Sequence, residues 1–233
     1  MATWTMHLAI AKKLEDKLNI KNKNEFYFGN IVPDLERWVV DDLDTFVDYK
    51  DSHYTFSNIA GESHIVIDLD KFYKLNEEEI KNGNSLLIGY YCHLIVDYYL
   101  NDIITSTKVS VFDNENKFIG VKLNNGQVLK CNEMKRRTIK HREYDMFNKY
   151  LINNFEIQCP SLNDELIDSI KVLKNINLSK SDIEKIINKS KELTMLDTFK
   201  DIKYEYKMYN DEILLKYYND AIEYVIKVFE KNI

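Results

Sequence analysis

The residues best placed to do chemistry begin with Gly89-Tyr-Tyr-Cys-His93-Leu-Ile-Val-Asp97, a histidine and a carboxylate four apart in an otherwise apolar run. On a helix, positions i and i+4 share a face, with Cβ atoms about 5–6 Å apart. An imidazole nitrogen and a carboxylate oxygen can then hold one metal ion. The same spacing also allows a plain His–Asp hydrogen bond inside a core, and the pair alone leaves both readings open. Either way, something must compensate a buried Asp97.

Three further segments carry side chains of the same kind, each of which alone reads more plainly as a core histidine (His7), a helix cap (Asp34) or part of a surface loop (His53). His7 sits between Met6 and Leu8 on the apolar side of the first helical stretch. Asp34 follows Pro33 at the end of the apolar run 26–32, where a turn can aim a carboxylate inward. His53 stands in Asp51-Ser52-His53-Tyr54, with Asp51 near enough to orient the second ring nitrogen, as metal-bound imidazoles usually require. His141-Arg-Glu-Tyr-Asp145 repeats the four-residue spacing. Around it lie Lys135, Arg136, Arg137, Lys140 and Arg142, and Arg137 shares the helical face of His141 and Asp145 as a candidate phosphate-binding cation. A solvated helix start is the plainer reading of that basic run. His64 is the remaining histidine and reads as part of a loop or helix start. Neutral imidazole and ionised carboxylate together suit zinc, and manganese, iron or nickel would accept the same set.

Helices must position these groups. Apolar residues recur at helical intervals over 3–18, with Thr3 as N-cap. The run 84–105 is apolar nearly all round, which means burial at the centre of the fold. Residues 54–75 fit a buried helix better than a strand, and Asn76 with the following glutamates reads as a cap and acidic first turn. Between 108 and 131 short β-branched runs alternate with Asp-Asn-Glu-Asn and Asn-Asn-Gly, which is turn chemistry, so a small inserted β-hairpin or three-stranded ribbon is expected there. Helical patterns return over 134–155, 162–173, 180–193 and 195–229, with a break near Asn210. The expected fold is therefore all-α in the main, in a single domain spanning 1–233, because no Gly-, Pro- or Ser-rich linker divides the chain.

With a net charge of −6, a broad basic face for duplex nucleic acid is not expected. No window is apolar enough to cross a membrane, and the first residues lack the pattern of a secretory signal. These observations lead to the expectation of a cytoplasmic protein for which contact with a membrane would be peripheral. Cys92, Cys131 and Cys159 are widely spaced and read as small buried hydrophobes. Nothing in the sequence fixes an oligomeric state.

Taken in order, Trp4…His7, Pro33-Asp34, Asp51-Ser52-His53-Tyr54 and His93-x-x-x-Asp97 resemble the zinc-dependent phospholipase C family and its relatives, the zinc-dependent single-strand nucleases. The resemblance implies a mostly helical domain with metals at the bottom of a cleft. By that analogy Asp34, His53, His93 and Asp97 hold one zinc, and His7 serves a second with Asp97 bridging. His141 and Asp145 resemble the pair that completes a third site, giving one to three ions. The Asp at 145 is closer to the nuclease branch than to the phospholipases.

Two departures stand out. The third-site histidine expected ten positions after His93 is Ile103, with Asn101 and Asp102 as neighbouring substitutes. The terminal Trp that ligates a metal in secreted members is here the internal Trp4. The implied function is hydrolysis of phosphate esters, phospholipase C-like, by a metal-activated water, with Asp34 as ligand and proton acceptor. A single-strand nuclease would stack bases on Tyr54, Tyr90, Tyr91, Tyr98 or Tyr144, and a soluble phosphodiester is a further substrate class. The reading from another class is a non-catalytic, metal-stabilised binding module. A His-Asp dipeptide phosphohydrolase fits poorly, because no His is followed directly by Asp.

Overall fold

A computed structural model describes residues 2–35, 39–45, 47–57 and 65–232. It is mainly helical, with two small antiparallel sheets among the described residues. The first helix, α1 (Trp4–Leu14), is capped by Thr3, whose hydroxyl accepts from the Met6 amide. Helix α2 (Lys23–Gly29) follows, and a short α3 (Tyr49–Ser52) leads into β1 (Thr55–Ser57).

The expectation of one helix over residues 54–75 does not hold. Strand β2 (Ile65–Ile67) pairs with β1, and only from Asp68 does the chain turn helical as α4 (Leu69–Lys81). Three consecutive β-branched residues, Ile65, Val66 and Ile67, fit a pleated strand better than a helix, where they lose χ1 freedom. Asn76 is not a cap between two helices but a kink within α4, with φ −128° and its side chain donating to the Phe72 carbonyl. His64, read from sequence as a loop or helix-start residue, lies outside the described residues.

Helix α5 (Ser85–Asp97) is the hub. Asn84 caps it, and all thirteen of its residues are buried. It packs against α2, α4 and α10 (Asp211–Asn232). The closest approach is to α2, where two glycines meet. A Cβ on Gly29 would stand 2.2 Å from the Leu86 carbonyl oxygen, and one on Gly89 would stand 2.2 Å from that of Phe26. Only glycine at both positions lets these main chains touch.

Beyond Asp97 the helix loosens into a π-helix over Tyr98–Val109. Its wider i→i+5 turn rotates later side chains off the face defined by His93 and Asp97. The inserted ribbon then appears as expected, with strands β3 (Ser110–Phe112), β4 (Phe118–Lys122) and β5 (Val128–Lys130) in sequential order. Helices α6 (Glu133–Asn154), α7 (Asp164–Ser169), α8 (Lys180–Leu193) and α9 (Leu196–Phe199) complete the fold before α10. The break before α10 is a full segment, 200–210, clamped to α6 by buried Glu143, whose carboxylate accepts from the Lys207, Met208 and Tyr209 amides. No helix of the described residues is long and apolar enough to cross a membrane.

Candidate metal centre

One ligand atom from each of Asp34, His53, His93 and Asp97 lies within 4.8 Å of the other three, and all four residues are buried. Each comes from a different local device. His93 points inward from α5, and its Nδ1 is 2.8 Å from the carbonyl oxygen of Asn30, the C-cap of α2. A carbonyl only accepts, so Nδ1 carries the hydrogen and Nε2 presents its lone pair to the cluster. His53 is the C-cap of α3, and its Nδ1 lies 2.9 Å from Ser52 Oγ. The orienting partner is thus Ser52, not Asp51, which is exposed because α3 turns its side chain outward. Tyr90, on α5, donates its hydroxyl to the Ser52 carbonyl at 2.6 Å and ties this turn to the hub. Tyr54, the next residue after His53, sits at φ +52°, a left-handed conformation that costs a bulky side chain about 1–2 kcal/mol.

Asp34 follows a turn in which its amide donates to the Ile31 carbonyl, and its Oδ1 lies 3.3 Å from His53 Nε2 and 3.7 Å from His93 Nε2. Asp97 Oδ2 lies 3.6 Å and 3.9 Å from the same two nitrogens. Its other oxygen accepts from the Ala2 amide at 2.6 Å and stands 3.5 Å from His7 Nε2. The His7 ring stacks on His93, with centroids 3.8 Å apart.

The hydrogen bonding does not close without a cation. The Nε2 atoms of His53 and His93 face each other at 3.2 Å, and buried polar groups normally find partners. Yet Asp34 Oδ1, Asp97 Oδ2 and both ring nitrogens of His7 have none among the described residues. An ion ligated by Asp34, His53, His93 and Asp97 would satisfy the two carboxylate oxygens and the facing imidazole nitrogens together, so the residues present fit zinc, while His7 stands beside this set and not in it.

The electrostatics agree. Burial, then the neighbouring His7, pushes His93 down to about 3, which leaves it neutral and able to ligate. Burial raises the Asp34 carboxyl, but His93 and His53 outweigh it and hold the group below its usual range. Asp97 is likewise held low against burial by neighbouring positive charge and by the nearness of His53 and His7. His53 is raised despite burial, through Asp34 and Asp97.

Asp34 also lines a cavity of about 540 Å³ that reaches His141, Asp145 and Asn148 on α6, with Trp4, Val39, Leu193 and Phe199 as apolar wall and Lys189 at its side. The wall segment holding Val39 is tied to α8 through the Asp182 carboxylate, which accepts from the Asp44 amide at 2.8 Å. Burial lowers His141 to about 4 and raises Asp145 to about 6. These two face the same cavity as Asp34 but are not within the four-residue cluster. Asn101, a sequence candidate for the place of the missing histidine, gives its side-chain oxygen to buried Lys140 at 2.7 Å, while Asp102 Oδ2 lies 3.5 Å from the Ile67 amide. Arg137 is exposed, 3.9 Å from Glu133, and does not line the cavity.

Sequence reasoning missed Ser52, although it stands next to His53. It also missed Lys189, which nothing distinguishes from other helical lysines, and the Asn30 carbonyl, a main-chain group with no residue signature. Neither the curated proteins nor the solved structures include a match to this chain. The family model of zinc-dependent phospholipase C matches residues 6–229. With a buried histidine–carboxylate cluster suited to that metal and a match over nearly its whole length, the chain belongs to the zinc-dependent phospholipase C family.

Proposed function

We propose that the chain hydrolyses phosphate esters in the cavity above the cluster, with Asp34, His53, His93 and Asp97 holding one zinc. His7 faces Asp97 from the other side, toward a second, and His141 with Asp145 faces the cavity for a further one. One observation carries the reading: Asp34 belongs both to the buried ligand cluster and to the lining of a cavity large enough for a small ester. Bound zinc supplies Lewis acidity, ionising water near neutral pH and neutralising charge on phosphoryl oxygens.

The chain's own groups do the rest. Asn30 and Ser52 fix the two imidazoles so that their Nε2 atoms converge. Asp34, held ionised, accepts the proton that an attacking water gives up, at the carboxylate facing the cavity. Lys189, whose ammonium is paired with Glu192 at 2.9 Å, offers a cation to an anionic oxygen of the substrate on exchanging that partner. Trp4, Leu193 and Phe199 exclude water around an apolar leaving alcohol.

The nuclease reading loses support, because Tyr54, Tyr90, Tyr91 and Tyr144 are buried in the core and the half-buried Tyr98 is stacked on Tyr224. The reading is tested with the zinc-loaded chain on bis(p-nitrophenyl) phosphate. Turnover is expected in the wild type and is expected to vanish in His93→Ala with the far-UV circular dichroism retained. Zinc bound stoichiometrically without turnover on this or on phospholipid esters would overturn it in favour of a metal-stabilised binding module.

A further inference from the structure

The ribbon β3–β4–β5 and the start of α6 concentrate positive charge. From 108 to 137 seven Lys and Arg stand against three acidic residues, in a chain whose net charge is −6. Those acids are already engaged. Asp113 closes its own turn, Glu115 pairs with Lys117, and Glu133 faces Arg136 and Arg137. Lys122, Lys130 and Lys135 are exposed and form no ion pair among the described residues.

Apolar side chains stand beside these cations. Phe112 is 45% exposed, Val128 51% and Met134 77%. For Val128 the strand register explains why. The inner face of the sheet is built by Val121, fully buried, and its partner Leu129, which packs on the core. Alternation then turns Lys122, Val128 and Lys130 outward together, with Lys122 directly opposite Val128. Phe112 meets Phe118 at 6.1 Å, centroid to centroid, and Phe118 itself packs on the core beneath Arg136. Exposed apolar residues interleaved with unpaired lysines fit neither a solvated face, which would lack the first, nor a core contact, which would lack the second.

We propose that this ribbon docks the protein on an anionic lipid bilayer, with Phe112, Val128 and Met134 entering the interfacial region and Lys122, Lys130 and Lys135 resting on acidic headgroups. Charge complementarity selects this occupant, since juxtaposed lysines and apolar side chains bind such surfaces additively. The geometry gives the contact a use. Helix α6 starts beside the ribbon, and His141 lies seven residues beyond Met134, about 10 Å along the axis. The cavity that His141 lines therefore lies a short distance from the docked surface. That this surface also delivers substrate rests on the phosphate-ester reading; the docking itself does not.

The test is cosedimentation of the full chain with phosphatidylserine–phosphatidylcholine vesicles, with pure phosphatidylcholine vesicles and a single-stranded oligonucleotide as competing ligands. Binding is expected to the anionic vesicles only, weakening as salt is raised. Lys122→Glu and Lys130→Glu should each weaken it by at least about fivefold, and Val128→Asp should weaken it comparably. All three positions are exposed, so the fold and the hydrolysis of a soluble ester should be unchanged. The inference is overturned if the wild type ignores anionic vesicles, if it prefers the oligonucleotide, if the variants bind as well as the wild type, or if Val128→Asp instead abolishes a self-association seen by light scattering. Vesicle binding needs no turnover, so its failure and the failure of the hydrolase reading are separately visible.

Discussion

Asp97→Asn is the substitution that most directly asks whether the buried cluster is a metal centre or a hydrogen-bonded core. Asp97 is central, with one oxygen 3.6 Å and 3.9 Å from His53 and His93 and the other 3.5 Å from His7. The change keeps the shape and removes the charge. If zinc is buffered at one hundred times the wild-type dissociation constant, ligation stabilises the folded chain by about 2.7 kcal/mol. For a chain of this size each kcal/mol moves Tm by about 2–4 °C, so zinc should raise the wild-type Tm by about 5–11 °C over a chelator control. Losing an inner ligand should weaken zinc at least as much as losing a strong outer partner, about 100-fold. The variant then stands near its own dissociation constant, and the stabilisation falls to about 0.4 kcal/mol, or about 1–2 °C. Differential scanning calorimetry in zinc and in chelator reads both numbers. If the cluster is only a hydrogen-bonded core, the substitution lowers Tm equally in both buffers and zinc moves neither protein; that pattern would refute the reasoning.

Other outcomes follow from the same structure. Gly89→Ala would ordinarily strengthen a helix by about 0.8–1.0 kcal/mol. Here the added Cβ meets the Phe26 carbonyl oxygen, so we expect a loss of about 1–3 kcal/mol in urea unfolding. Zinc affinity by competition titration should also fall about 10–100-fold, as the bond from His93 to Asn30 opens. Zinc affinity should fall with pH, because His53, raised above 6.5 by Asp34 and Asp97, must release its proton to ligate while both carboxylates stay ionised. Calorimetric titrations at pH 5.5 and 7.5 should show the difference, and equal affinity at both would count against His53 as a ligand. Glu15 is buried, yet hydrogen bonds from Tyr27, Lys12 and Lys23 overcome burial and hold its carboxyl below 4.5. A depressed folded value means stability present above the unfolded value and lost as pH falls through the folded one. Glu15→Gln should therefore lower stability by about 1–3 kcal/mol at pH 7, and the gap should close on acidification below 4.5.

Much of this was legible in the residues. A run apolar nearly all round located the buried helix of His93 and Asp97, and turn chemistry at Asn114 and Asn125 marked the ribbon. The resemblance in motif order, more than any single residue, brought His7, Asp34 and His53 into the company of His93 and Asp97. The strand at Ile65 was not legible, since a short apolar run carries no period and its partner is set by tertiary pairing. The π-helix was invisible for a related reason: its wider turn depends on how the main chain is accommodated, and Asn101, which continues the ligand face on an ideal α-helix, is given to Lys140 instead. The orienting groups were the least readable, because a carbonyl such as that of Asn30 has no type to recognise.

The contact between Gly29 and Gly89 sets what can vary. Where two backbones abut, neither rotamer changes nor repacking can adjust their spacing, so the Asn30 carbonyl and the His93 ring are a fixed gauge block. Asp34 and His53 instead hang from short turns that side-chain contacts hold in place. Any attempt to retune the centre toward a larger ion or a different coordination number should vary residues 31–35 and 49–54 and leave the crossing helices untouched.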